Sequence, residues 1–333
     1  MNTKKLIFIL VGIFIVFLFY FFGVFSWYWK SSNIENFKGG SESEIGSGGS
    51  SGIREEDVDI FVNQEDFERN VHRSQYFHKL NLWDLRVRGI RDQESYKKKY
   101  IGSRMELTKK QKDEIRSLIQ YVDGDDGLGM ASSVLGKVPW KIAVCDGKVE
   151  GGLCHTIGDM IVFPIEYFDY GEKRKINLLI HEKTHVLQRL NPEWAESVIR
   201  EMGFSRIGKQ DDGSLGWMEE LRRHNPDLNS YDYGLGENSI GSISKGGRIV
   251  ELFVDVSSLL DSATFLVKRR EDGDMKYVVL SNEDLGVPSY VGQIEHPYEI
   301  MACIIPELVM KRQELGNGKI ENAIWGSLWF DDK

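Results

Sequence analysis

His181-Glu182-Lys183-Thr184-His185 sets two imidazoles four residues apart, with a carboxylate directly after the first. On a helix that spacing puts both rings on one face, so their nitrogens can converge on a single divalent ion. Glu182 then stands within reach of a water held on that ion. Two neutral nitrogen ligands and a proton acceptor suit hydrolysis at zinc, where the ion acidifies the water and the carboxylate takes its proton. With 7 His in 333 residues, a chance HExxH is on the order of one in a hundred from composition, so the surroundings decide. The competing account of these residues is two hydrogen-bonded core histidines with a surface glutamate between them.

The element that must position them is a helix. Ile176, Leu179, Ile180, Val186, Leu187 and Leu190 recur at helical spacing and predict a buried helix from about Glu172 to Leu190. Asn191-Pro192 stops it. Lys183 is expected to run along the helix edge with its ammonium in solvent. Upstream, Val138–Cys145 and Met160–Pro164 read as strands and Asp146-Gly147 as a turn. Between them Glu150–Thr156 is expected to line a cleft, with His155 either touching substrate or making a structural hydrogen bond. Thr108 is the expected N-cap of a helix to about Asp123, buried through Ile115, Leu118, Ile119 and Val122. Asp123-Gly124-Asp125-Asp126-Gly127 lacks the spacing of a calcium loop and reads as a solvated turn. Glu65–Gly89 is partly helical, and its His72 and His78 have no second ligand at metal spacing.

A catalytic zinc takes a third protein ligand and keeps one position open for water. His296-Pro297-Tyr298-Glu299 is the candidate segment. Pro297 suits the first residue of a helix, Glu299 falls in the first turn, and Ala302 permits close helix approach. Glu295 and His296 are alternative ligands there, and a first-turn glutamate is also favoured by the helix dipole alone. Pro306 is expected to break or kink this helix. Trp194–Phe204 suits another helix, Arg223–Asp227 a turn containing His224, and the chain beyond Arg248 a small inserted sheet.

Two strands, an HExxH helix and a later Glu-x-x-Ala helix resemble the glutamate-type zincins (gluzincins), over Val138–His185 and Glu295–Leu308. Ile180–Lys183 with Val186 and Gln188-Arg189, and His296-Pro297-x-Glu299, are also similar to uncharacterised metallopeptidase-like proteins of large DNA viruses. The resemblance implies an α+β, zincin-like fold: a small mixed sheet packed on the HExxH helix and a second, Glu-bearing helix. It implies Zn2+ on His181, His185 and Glu299, with Glu182 deprotonating the bound water and reprotonating the leaving amine. It further implies that the strand just before the active-site helix lies at the sheet edge and pairs with an extended peptide substrate. The oxyanion also needs a donor, for which Tyr290, His155 and His296 are alternatives that the sequence does not choose among, Tyr290 being the catalytic candidate. Lys183 departs from the family pattern, and so does Cys303, which stands where several families place a second carboxylate.

Leu6 to Trp29 carries no charge, follows Lys4 and Lys5, and is long enough to cross a bilayer. With Trp27, Tyr28 and Trp29 before Lys30 it reads as an uncleaved single-pass anchor (residues 1–30), N-terminus cytoplasmic and the domain on the opposite side. Residues 31–54 form a Gly/Ser-rich linker. Residues 55–333 form the metallopeptidase-like domain, with a β-rich insertion at about 245–285. A net charge of −9 argues against a nucleic-acid partner. The 3 Cys make no disulfide framework, and Cys145 with Cys154 across a hairpin stays open. The expected partners are a peptide or protein substrate and the membrane. The alternative is a tethered zinc-binding or protein-interaction domain without turnover.

Overall fold

The computed structural model describes residues 60–209, 224–229, 231–235, 254–257, 263–271, 274–278, 282–294, 296–311 and 318–329. The expected anchor and linker lie outside them, as does Glu295. Among the described residues no helix is long and apolar enough to cross a membrane. Val58–Lys333 forms one compact unit.

Among the described residues the α-helices are α1 (Gln64–Arg73), α2 (Tyr76–Lys79), α3 (Leu82–Val87), α4 (Gln93–Gly102), α5 (Lys109–Asp123), α6 (Glu172–Leu190), α7 (Pro192–Glu201), α8 (Asn282–Leu285), α9 (Pro297–Lys311) and α10 (Lys319–Leu328). The strands are β1 (Ile142–Cys145), β2 (His155–Ile157), β3 (Met160–Pro164), β4 (Phe204–Lys209), β5 (Tyr231–Leu235), β6 (Val254–Ser257), β7 (Ala263–Glu271) and β8 (Asp274–Val278). The fold is mixed α+β.

The sheet beside the motif has the order β1-β3-β2, with β1 parallel and β2 antiparallel to β3. Alternation along each strand sends neighbouring side chains to opposite faces, and each face here builds its own core. Ile142, Val144, Ile161 and Phe163 join Ile176, Leu179, Ile180, Val186 and Leu187 of α6. Ala143, Cys145, Met160 and Val162 join Phe67, Val71, Phe77, Tyr96 and Tyr100 of the N-terminal helices. The sheet is therefore covered on both sides, which is why β1 and β3 read as unbroken apolar runs.

One expectation is overturned here. β3, the strand just before the motif helix, is not an edge strand but the middle one. A two-residue turn, Gly158-Asp159, with Gly158 at φ +62°, folds β2 back along its free side. The edge falls to β2.

α6 runs over the expected residues, and Asn191, which ends it, also caps α7 by accepting from the Trp194 amide at 3.2 Å. α5 begins on a complete capping box between Thr108 and Gln111. α9 starts at Pro297 as expected but continues through Pro306 to Lys311. Ile304, Ile305, Leu308 and Val309 are all buried, and their packing holds the helix past the hydrogen bond that the proline removes. α9 lies along α6, its most extensive helical neighbour, with Ala302 buried in α9. The insertion is an antiparallel sheet, β6-β7-β8; residues 249–253 and 279–280 lie outside the described set.

Candidate metal centre

α6 delivers His181 and His185 to one point, and the first turn of α9 delivers Glu299 to the same point. The two histidine Nε2 atoms are 3.1 Å apart. Glu299 Oε2 lies 3.4 Å from His181 Nε2 and 3.3 Å from His185 Nε2. A tetrahedral ion with ligands at about 2.0–2.1 Å separates its donors by about 3.3 Å, so the triangle has the size that zinc requires. Among the described residues this is the one His/Cys/Asp/Glu group able to hold a metal.

The surrounding hydrogen bonds aim these atoms. Gln188 Nε2 donates to Tyr298 O at 3.0 Å, which turns Gln188 Oε1 toward His185 Nδ1 at 2.9 Å. The Nδ1 proton is thereby held, and the Nε2 lone pair faces the centre. Asn225 Nδ2 donates to Glu299 Oε1 at 2.8 Å. Glu299 Oε2 is left facing the histidines, with no hydrogen bond of its own among the described residues. A buried carboxylate oxygen in that condition calls for a cation. Burial pushes the Glu299 carboxyl up, and His185 and His181 more than reverse it, holding it well below the ordinary range.

Glu182 is 2 % exposed, and its Oε2 likewise has no hydrogen-bond partner among the described residues. Burial raises its proton affinity most, Asp227 and Glu299 add to the rise, and His181 and Arg189 oppose it. A buried carboxylate with a raised pKa is suited to taking a proton and giving it back.

Other expected residues go elsewhere. Lys183 is not in solvent: it is 1 % exposed, 3.6 Å over the Trp140 ring and 3.4 Å from Asp123 Oδ1. It projects into the core of α5 and β1 because α6 is buried around most of its circumference. Asp123 is drawn in with it, accepting from Trp140 Nε1 at 2.6 Å rather than sitting in a fully solvated turn. Tyr290 is not brought to the histidines. Its hydroxyl donates to Glu321 of α10 at 2.9 Å, and Lys311 at the far end of α9 covers its ring. His155 places Nδ1 on Leu153 O at 2.9 Å and Nε2 on the Tyr100 hydroxyl at 2.5 Å, a structural arrangement. His296 caps α9, its Nδ1 accepting from the Tyr298 amide at 3.1 Å while Nε2 faces Tyr231 O at 3.2 Å. His224 is held by Asp84 at 2.8 Å, and His72 and His78 are exposed. The three cysteines are free. Cys303 Sγ donates to Gln293 Oε1 at 3.8 Å.

Sequence reasoning missed Asn225, Asp227 and the orienting role of Gln188. Gln188 lies three residues beyond His185 on the same helix face, and that spacing was a usable signal. Asn225 and Asp227 reach the centre from a loop that nothing local connects to it. No family model, curated protein or solved structure matches this chain, and the site stands on its own geometry.

Proposed function

We propose that this chain is a zinc-dependent metallopeptidase of zincin-like, gluzincin-type architecture, tethered to a membrane by Leu6–Trp29. The observation that carries the reading is the triangle of 3.1, 3.3 and 3.4 Å between His181, His185 and Glu299, three protein donors being the number a catalytic zinc takes. The buried, unpartnered Glu182 oxygen beside it supports hydrolysis over a purely structural site. Bound zinc supplies Lewis acidity and lowers the pKa of water. Glu182 Oε2 accepts the proton of the attacking water and passes it to the leaving amine nitrogen. Gln188 and Asn225 keep His185 and Glu299 in the one orientation that leaves their donor atoms convergent. The substrate is a peptide or protein.

The test is a zinc count on the purified full chain together with cleavage of a peptide library by parent and Glu182→Gln. The reading expects one zinc per chain in both and cleavage in the parent alone. Zinc without cleavage in the parent leaves a zinc-binding domain, and no zinc at all removes the metal centre.

A further inference from the structure

The loop His224–Asn229 crosses the region between the third ligand and the edge of the sheet, and each of its central residues is tied to a different part of the site. Asn225 holds Glu299 Oε1 at 2.8 Å. The carbonyl of Pro226 accepts from Arg189 of α6 at 2.8 Å. Asp227 Oδ1 accepts from the backbone amide of Thr156 at 2.6 Å and from its hydroxyl at 2.8 Å.

The last contact is the informative one. Thr156 is the middle residue of β2, opposite Ile161, and β2 is an outer strand of the sheet, the other outer strand, β1, being bridged to Phe61. An edge amide is what an incoming extended chain would pair with through one of its own carbonyls. Here a side-chain carboxylate oxygen already stands in that carbonyl's position. Two cavities, of about 280 and 460 Å³, flank the loop, and both are lined by Arg189, Leu228 and Asn229. The larger one reaches His185. The donor atoms themselves are shut in: His185 is 0 %, Glu299 1 % and His181 8 % exposed.

Resting on the metallopeptidase reading, we propose that His224–Asn229 is a displaceable strap that occupies the place of the substrate strand. In this account Asp227 mimics a substrate backbone carbonyl at Thr156, and lifting the loop joins the two cavities into one groove past the metal ligands. The strap then weakens peptide binding without abolishing it, and a peptide enters by competing with Asp227 for the edge of β2.

The experiment measures, by calorimetry on the zinc-loaded full chain, binding of acetyl-Ala-Ala-Leu-Ala hydroxamate and of acetohydroxamate. Both have a metal-chelating head, but only the first has a backbone able to pair with an edge strand. Asp227→Ala is expected to raise the affinity for the peptide hydroxamate, taken relative to that for acetohydroxamate, about tenfold or more over the parent's ratio. Asp227→Asn, which keeps an acceptor for Thr156 without the charge, is expected to fall between. An unchanged or lower ratio in Asp227→Ala overturns the strap. So does loss of zinc from both variants, because Asp227 is then structural. A parent chain that neither holds zinc nor binds acetohydroxamate removes the metallopeptidase reading itself, and the strap with it.

Discussion

Gln188→Leu isolates what the orientation of one imidazole contributes. Gln188 is 1 % exposed and joins three groups: His185 Nδ1 at 2.9 Å, Tyr298 O at 3.0 Å and the Met301 sulfur at 3.5 Å. Leucine fills nearly the same volume and removes the hydrogen bonds. Tyr298 O keeps the helical amide available to a first-turn carbonyl, so the uncompensated loss is the buried His185 N–H, about 1–3 kcal/mol. In addition, the imidazole is no longer held with its proton on Nδ1, and loss of such an outer partner weakens metal binding about 10- to 100-fold. Gln188→Glu separates the two effects. Its carboxylate still accepts from His185 but faces Tyr298 O with no donor, so the metal-free protein loses stability while zinc affinity stays near the parent's. The assays are competition with a chromophoric chelator for zinc Kd and thermal melting of the metal-free chain for stability. Zinc binding by Gln188→Leu within twofold of the parent would refute the claim that this side chain sets the tautomer.

Glu299→Ala removes one of three donors and is expected to drop zinc content well below one per chain in elemental analysis; full occupancy would exclude Glu299 as a ligand. Lys183 has its pKa lowered to about 8 from 10.5 by burial, against an opposing pull from Asp123. Between those values the unfolded chain holds a proton that the folded chain has released, so the Lys183 contribution improves as pH rises through that window and is a penalty below it. Lys183→Met is therefore expected to raise stability at pH 7 by up to roughly 3 kcal/mol, an advantage that disappears near pH 10.5; equal urea midpoints at pH 7 would contradict this. Burial pushes Glu150 up, and Arg88, 2.8 Å away, outweighs it, leaving the carboxyl below its usual range. That depressed pKa gives stability above the unfolded value, lost as pH falls through the folded one. Arg88→Met leaves Glu150 hydrogen-bonded, among the described residues, to the Tyr76 and Tyr96 hydroxyls, costs about 3–5 kcal/mol, and moves acid unfolding to higher pH in circular dichroism; an unmoved acid midpoint would show that Arg88 does not set this carboxyl.

The parts of the site readable in the chain are those fixed by short-range periodicity. His181, Glu182 and His185 share a helix whose apolar spacing gave its limits, and the proline before Glu299 placed that residue in a first turn. The apolar stripe marks only part of the buried face: α6 is covered on nearly every side, and Lys183 meets Trp140 and Asp123 instead of solvent. Tyr290 had no local pattern behind it, and the structure gives its hydroxyl to Glu321.

The sheet edge shows why the remainder was illegible. A two-residue turn at Gly158-Asp159 is visible in sequence only as a Gly beside an Asp, yet it decides which strand lies outermost, since a β2 folded onto β3 leaves β3 no free amide. The edge thus created has one outward amide at Thr156, and a buried edge amide must find an acceptor. Its acceptor, Asp227, lies on a loop with no periodicity at all, and the same loop supplies Asn225 to Glu299. One hairpin turn therefore fixes both where an extended chain would pair and which loop must be in the way. The two facts are a single packing problem, solved at a distance no local pattern spans.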